Sequence, residues 1–228
     1  MLLWKRVLYH NEGFTMSKFK DARYLGFKSV QGFEPIEQIE FQGMLSNIKH
    51  KYTPAARSLF ILLYYTGARP AEIVSLTRQS FRKEKSNLWV TFPAVKHGNV
   101  GTLMLPLRNP HIKELANFVL AGWLPDYPLF SRFISNTKRE IKSINKLNNE
   151  VKTVTYIEKT RRVHYFIKNL CGTIPYFFRH NRFSRAAMLG ASLNEIKELK
   201  RAKRDSSCYP YLHFSKTHKK KFIKYLKD

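Results

Sequence analysis

Cysteine is nearly absent from this chain: Cys171 and Cys208 are the only two in 228 residues. With no Cys-x-x-Cys pair and no His/Cys cluster at ligand spacing, neither a disulfide framework nor a metal site is expected, and the cysteine usage suits a reducing cytoplasm. Long apolar runs are missing as well. The longest, Leu59-Phe60-Ile61-Leu62-Leu63-Tyr64-Tyr65, is far short of the roughly 20 residues that cross a bilayer. The opening Met1-Leu2-Leu3-Trp4-Lys5-Arg6 lacks the apolar centre of a signal peptide. No membrane partner, export or anchoring is expected. The third shortage is acid: 16 Asp plus Glu stand against 41 Lys plus Arg, a formal charge of +25. That excess goes far beyond what solubility requires and points to a polyanionic partner, nucleic acid first.

What the chain does have is a core. At 43% hydrophobic and 14% aromatic residues it is globular rather than a disordered polybasic tail. Residues 1–33 mix aromatics, bases and scattered glycines without a sustained period, which reads as an arm or lead-in. A main domain is expected over residues 34–215. Within it Phe41, Met44, Leu45 and Ile48 recur at helical spacing. Thr53-Pro54 opens a strongly apolar helix, with Thr53 as its cap, that stops at Gly67. Leu88, Val90 and Phe92 alternate with Trp89 and Thr91 and, with Leu103 to Leu107, predict a β-hairpin with Lys96 near its tip. Pro110 opens a further helix. Asn136 to Leu147 is expected as a basic helix and Lys159 to Leu170 as another. Pro175 to Leu189 reads as a helix closed by Gly190, and Ser192-Leu193-Asn194-Glu195 as a capping box that starts the next. Residues 216–228 read as a basic C-terminal helix that neighbouring copies could exchange.

The chemistry concentrates in three places. In Thr66-Gly67-Ala68-Arg69-Pro70-Ala71-Glu72 a glycine turn leads to an arginine at the mouth of a helix, where orphan amides favour an anion. Arg179 and His180 lie on a basic helix that also carries Arg182 and Arg185, candidates for DNA contact, with His180 a packing or phosphate-adjacent residue. Thirty-two residues past Arg179 comes Tyr211, in Cys208-Tyr209-Pro210-Tyr211-Leu212-His213.

Taken in this order, the features resemble the catalytic domain of the tyrosine recombinase, or phage integrase, family. That domain has a Thr-Gly-x-Arg-x-x-Glu junction, a hairpin lysine, a His-x-x-Arg-His helix, a glycine-bounded turn and a final tyrosine. The resemblance implies a mainly α fold with a small antiparallel β-sheet, of the DNA breaking-rejoining type. It makes Arg69 and Arg179 the phosphate-gripping arginines, Lys96 the general acid and Tyr211 the nucleophile, with Tyr209 as the fallback. The implied product is a 3′-phosphotyrosyl link that stores the broken bond's energy, so no cofactor, metal or ATP is called for. Double-stranded DNA and a second copy of the chain become the expected partners. Two positions depart from the pattern. Tyr176 stands where the family's first histidine begins the motif, and Ala202 where a His or Trp precedes the tyrosine. Tyr176 retains a hydroxyl donor, whereas Ala202 has none, leaving Lys200, Arg201 or Lys203 to compensate as DNA contacts. The family's N-terminal clamping domain is not expected in this sequence. A type IB topoisomerase activity and a DNA-binding relative with lost catalysis are the alternatives.

Overall fold

A computed structural model describes residues 38–49, 52–94, 99–144, 151–172 and 174–214. The arm of residues 1–33, the hairpin lysine Lys96 and the basic segment 216–228 lie outside the described residues.

The centre of the fold is helix α2, Thr53–Thr66, in which ten of fourteen residues are buried. Leu59, Phe60, Ile61, Leu62 and Leu63 are all fully buried, so this helix is enclosed on every side instead of showing one apolar stripe. At about 1.5–3 kcal/mol for each large apolar side chain withdrawn from water, α2 is the principal source of cohesion. Its N-cap is Tyr52, which makes no side-chain capping bond. Thr53 therefore lies inside the first turn instead of capping it, with Pro54 tolerated there because its missing N–H is one that the helix leaves unpaired anyway.

Helix α1, Gln38–Ser46, lays Phe41 on α2, with ring centroids 5.2 Å from Phe60 and 3.9 Å from Tyr64, both stacked. Helix α3, Pro70–Val74, follows the Gly67 turn. Then comes a three-stranded antiparallel sheet in the order β1-β2-β3, comprising Phe81–Glu84, Asn87–Phe92 and Gly101–Pro106. Its register pairs Val90 with Leu103 and Phe92 with Gly101. Leu88, Val90 and Phe92 are buried, one face of the strand at the two-residue period the alternation predicts. Helix α4, Pro110–Val119, is capped by Asn109, whose side chain accepts from the His111 and Ile112 amides.

The expected basic helix over Asn136 to Leu147 is a strand. Lys138–Ile144 (β4) pairs antiparallel with Val151–Ile157 (β5) from Lys138↔Ile157 to Ile144↔Val151. The reason lies in the partner: β5 reads Val-Lys-Thr-Val-Thr-Tyr-Ile, rich in the β-branched and aromatic residues that favour a pleated surface. A charged segment next to it gains a full ladder of backbone hydrogen bonds that a lone helix would have to find elsewhere.

Three helices complete the domain: α5, Arg161–Cys171; α6, Pro175–Met188; and α7, Leu193–Lys200. Helix α5 buries Val163 and Ile167. Helix α6 packs against α2, with the Phe178 ring edge-on to Phe60 at 5.1 Å. Ser192 caps α7 through the predicted box, its hydroxyl accepting from the Glu195 amide. A 3₁₀ segment, Tyr209–Phe214, then returns against α6. Between them lies a second, smaller apolar cluster of Phe183, Ala187, Ile196, Ala202, Cys208 and Tyr211.

Candidate active site

Three chain segments meet at the C-terminal end of α2. Gly67 ends that helix at φ 58°, a left-handed conformation, with its N–H donating to the Leu63 carbonyl. A side chain there would also be crowded, since an added Cβ would lie 3.1 Å from Arg182 Cβ. Glycine thus allows the tight exit that presents Arg69. Helix α3 has only five residues, so the anion preference here comes from the guanidinium more than from a helix dipole.

Arg69 and Glu72 are tied together twice. The Glu72 carboxylate accepts from the Arg69 backbone N–H at 2.7 Å and from Arg69 Nη1 at 2.7 Å. Its Oε2 also accepts from Arg201 Nη2 at 2.7 Å, and both side chains of that pair are 1% exposed. Burial alone would raise the Glu72 pKa, but Arg201, the Arg69 amide and Arg179 together hold it below the usual carboxylate range. The Arg69 side chain remains 21% exposed, and its Nη2 makes no hydrogen bond among the described residues, leaving one edge of the fork open to a ligand.

Arg179 rises from α6 into the same region and is buried. Its Nη1 donates to the Gly67 carbonyl at 2.7 Å and its Nη2 to the Lys200 carbonyl at 2.8 Å. The guanidinium therefore ties the glycine turn to the end of α7, while its face covers the Phe183 ring at 4.9 Å. Burial first, then the neighbouring charge of Arg69, lowers its pKa to about 10. It stays a cation at neutral pH.

Tyr211 lies inside the small apolar cluster, 3% exposed. Its hydroxyl is 2.9 Å from His180 Nδ1, and its ring meets Phe183 edge-on at 5.5 Å. Burial pushes the phenol well above its ordinary pKa, and the positive charge of Arg179 only partly offsets this. Burial, with help from Lys200 and Arg179, lowers His180 to about 4, so the ring is neutral at pH 7. Lys200 spans the same corner. Its Nζ lies 5.1 Å from the Tyr211 ring centroid and donates to the Ser207 carbonyl. Burial first, with Arg179 and Arg69 adding to it, lowers Lys200 to about 8.

The structure therefore joins Arg69, Arg179, His180, Lys200, Arg201 and Tyr211 in one electrostatically coupled group around Glu72. Tyr176, Arg185 and Lys203 have no hydrogen bond or ion pair with it among the described residues. Tyr176 is exposed on the first turn of α6 and has no hydrogen bond or ring contact with the group among the described residues. Arg185 donates to the Tyr64 hydroxyl, and the Arg182 stem packs over Gly67, so both have contacts where α6 meets α2 and its exit. Lys203 is exposed on the surface. Ala202 is buried in the cluster with Tyr211, a small side chain where a larger donor was expected. Arg201 faces inward to Glu72 rather than outward to solvent. Sequence reasoning did not single out Glu72 as more than Arg69's neighbour, although its place three residues after the arginine is a capping-box signal.

The site thus sits in a helical domain with small antiparallel sheets, as a cluster of guanidiniums beside a tyrosine on the C-terminal segment. The comparison with solved structures gives the particular fold, that of tyrosine recombinase catalytic domains. XerH site-specific recombinase bound to its difH substrate superposes with a TM-score of 0.54 at 17% identity, over 79% of this chain and 50% of that one. XerA recombinase gives 0.53 at 12% identity over 86% and 64%. The Tn1549 transposon integrase in complex with circular intermediate DNA gives 0.53 at 15% over 85% and 67%. This chain thus spans between half and two thirds of the length of these structures. By sequence it matches no family model and no curated protein. Among the described residues no helix is long and apolar enough to cross a membrane.

Proposed function

We propose that this protein is a site-specific DNA strand-exchange enzyme, integrase-like, acting through a covalent phosphotyrosyl intermediate. The observation that carries the reading is the Tyr211 hydroxyl 2.9 Å from His180 Nδ1, one residue along from the buried Arg179 and electrostatically coupled to it. A phenol beside a neutral imidazole, with guanidiniums in reach, has the parts that attack on a phosphodiester needs.

In the proposed step the Tyr211 Oη forms a bond to phosphorus as the bond from phosphorus to the 5′-oxygen breaks. Nδ1 of His180, as acceptor, takes the phenolic proton. Arg69 and Arg179 stabilise the non-bridging oxygens, where charge accumulates. Arg69 offers the open edge of its fork, while Arg179, whose Nη1 and Nη2 already donate to the Gly67 and Lys200 carbonyls, adds a fixed positive charge. Losing one such preorganised group costs on the order of 10²–10³ in rate. The departing 5′-oxygen takes a proton from Lys96, the proposed general acid. Since the phosphotyrosyl ester conserves bond energy, a 5′-hydroxyl from another strand reverses the step without a nucleotide cofactor. Strand exchange needs two sites held together, so self-association on DNA belongs to the proposal, as do backbone contacts from exposed cations such as Lys203.

The test is a covalent adduct on a nicked duplex whose cleaved end diffuses away. Wild-type chain should give a protein–DNA species stable to denaturant, Tyr211→Phe should give none, and Tyr209→Phe should keep it. Adduct from Tyr211→Phe would overturn the assignment in favour of Tyr209, which is 42% exposed. A second reading, a DNA-binding relative without catalysis, is favoured by one observation: the phenol is 3% exposed and its pKa is raised. Salt-sensitive DNA binding with no adduct on any substrate would establish it.

A further inference from the structure

Arg201 closes α7 in the left-handed region, at φ 53°. That conformation crowds any Cβ and is ordinarily left to glycine or asparagine. Here the strained position bears a long cation, and the side chain has a destination. Its stem runs across Gly101 so closely that a Cβ there would lie 2.6 Å from Arg201 Cγ and 2.7 Å from Cδ. The guanidinium covers the Phe92 ring, 4.4 Å from its centroid. It ends on Glu72 Oε2, with Nη1 also donating to the Leu199 carbonyl at 3.2 Å. The Arg201 carbonyl in turn accepts from the Asn99 amide at 3.2 Å.

These contacts share a pattern. Phe92 and Gly101 are opposite one another as the final pair of the β2–β3 ladder, and Asn99 lies two residues before Gly101. Arg201 therefore grips both ends of the β2–β3 connection with side chain and backbone, and fastens them to the carboxylate that also orients Arg69. A glycine at 201 would end the helix without strain but would lose the side-chain contacts to Phe92, Gly101 and Glu72.

We propose that Arg201 is a positioning residue that fixes Phe92 and residues 99–101, the two described ends of the β2–β3 connection, against the Arg69–Glu72 pair, touching no DNA itself. The consequence for chemistry rests on the function proposed above, because the connection contains Lys96. Holding both ends would then govern how effectively the acid serves the leaving oxygen, the effect that the second measurement reads. Gly101 belongs to the same device, being the position where the sheet has no side chain to obstruct the arginine stem.

Two measurements test this, and the first needs no activity. Amide hydrogen exchange on the free protein should show faster exchange at residues 99–102 in Arg201→Gly, by about tenfold or more, with α2 unchanged. Gly101→Ala should do the same in the wild-type background and add little to Arg201→Gly. Unaltered exchange at 99–102 in Arg201→Gly overturns the tether. The second uses duplexes with sulfur in place of the bridging 5′-oxygen, a leaving group that departs without a proton. Arg201→Gly should slow adduct formation about 100-fold on the oxygen substrate, the lower end of what a general acid contributes, and recover to within a few-fold on the sulfur one. Arg179→Ala should stay slow on both. An Arg201→Gly protein equally slow on sulfur overturns the positioning role. Absence of adduct from the wild-type chain on either substrate removes the proposed function, while the exchange result still decides the tether.

Discussion

Lowering the pH should unfold this protein through His180 before it does so through any carboxylate. The imidazole has a folded-state pKa of about 4 against 6.5 for the free side chain, so the unfolded chain binds its proton first. Stability is then fully present above about 6.5 and is lost as pH falls toward 4. From linkage, the His180 contribution lost between pH 7.5 and 4.5 is about 2.5 kcal/mol, a large share of the roughly 5–15 kcal/mol that holds a domain together. His111 is also lowered by burial and adds in the same direction. Glu72 acts only below about its unfolded value of 4.5, so the upper part of the window belongs to the histidines. Urea unfolding at pH 7.5, 6.0 and 4.5 measures the slope. The decisive comparison is His180→Asn, whose amide oxygen can occupy the place of Nδ1 and accept from Tyr211 without titrating. It should retain most stability at pH 7.5 and lose most of the acid slope. An unchanged slope in His180→Asn would refute the claim that His180 is held neutral by its site.

Three further substitutions probe the same corner. Glu72→Gln leaves Arg201 buried without its counter-charge and should cost about 3–5 kcal/mol, read as a fall in Tm by calorimetry; a loss below 1 kcal/mol would mean the pair is dispensable. Gly67→Ala forces a side chain into the left-handed region beside the Arg182 stem and should cost about 2 kcal/mol, lowering Tm by about 4–8 °C at this chain length. Arg179→Lys can reach only one of the carbonyls of Gly67 and Lys200. It should lose about 2 kcal/mol of stability and, on the proposed function, about 10²–10³ in adduct rate, measured by chemical denaturation and by single-turnover cleavage.

Much of this fold could be read from the residues, and what could not has a physical reason in each case. The enclosed helix Thr53–Thr66, its Gly67 stop and the Ser192 capping box are written in local chemistry, which short windows capture. The β2–β3 pair was visible because Leu88, Val90 and Phe92 alternate. Strand β4 was not, because its lysines and glutamate carry helical propensity and its strand character depends on β5, several residues away. At the site, Arg69 and Arg179 could be found by motif, whereas the Tyr211–His180 contact spans 31 residues and is set by how α6 and the last 3₁₀ segment pack. The inward turn of Arg201 was equally hidden, since an arginine among Lys200, Lys203 and Arg204 looks like one more surface charge until the αL backbone and the space over Gly101 are seen together.

The charge balance of the cluster supports the proposed reading independently of the Tyr211–His180 contact. Arg69, Arg179, Lys200 and Arg201 converge, and among the described residues Glu72 is the acid that answers them. The deficit shows in the cations themselves: like charge contributes to lowering Arg179 and Lys200, and Lys200 and Arg179 help lower His180. A site depressed in this way is relieved by an anion, which favours every protonated form at once. A phosphodiester entering beside the open edge of Arg69 would raise His180 and Lys200 together, making the imidazole a better proton acceptor as its substrate arrives. The same phosphate would give Arg179 a partner that its two backbone carbonyls, being neutral, do not replace. The same anion holds the Tyr211 proton more tightly as well, so on the proposed reading the transfer depends on the 2.9 Å contact to His180 Nδ1 and on the guanidinium charge around the phosphate.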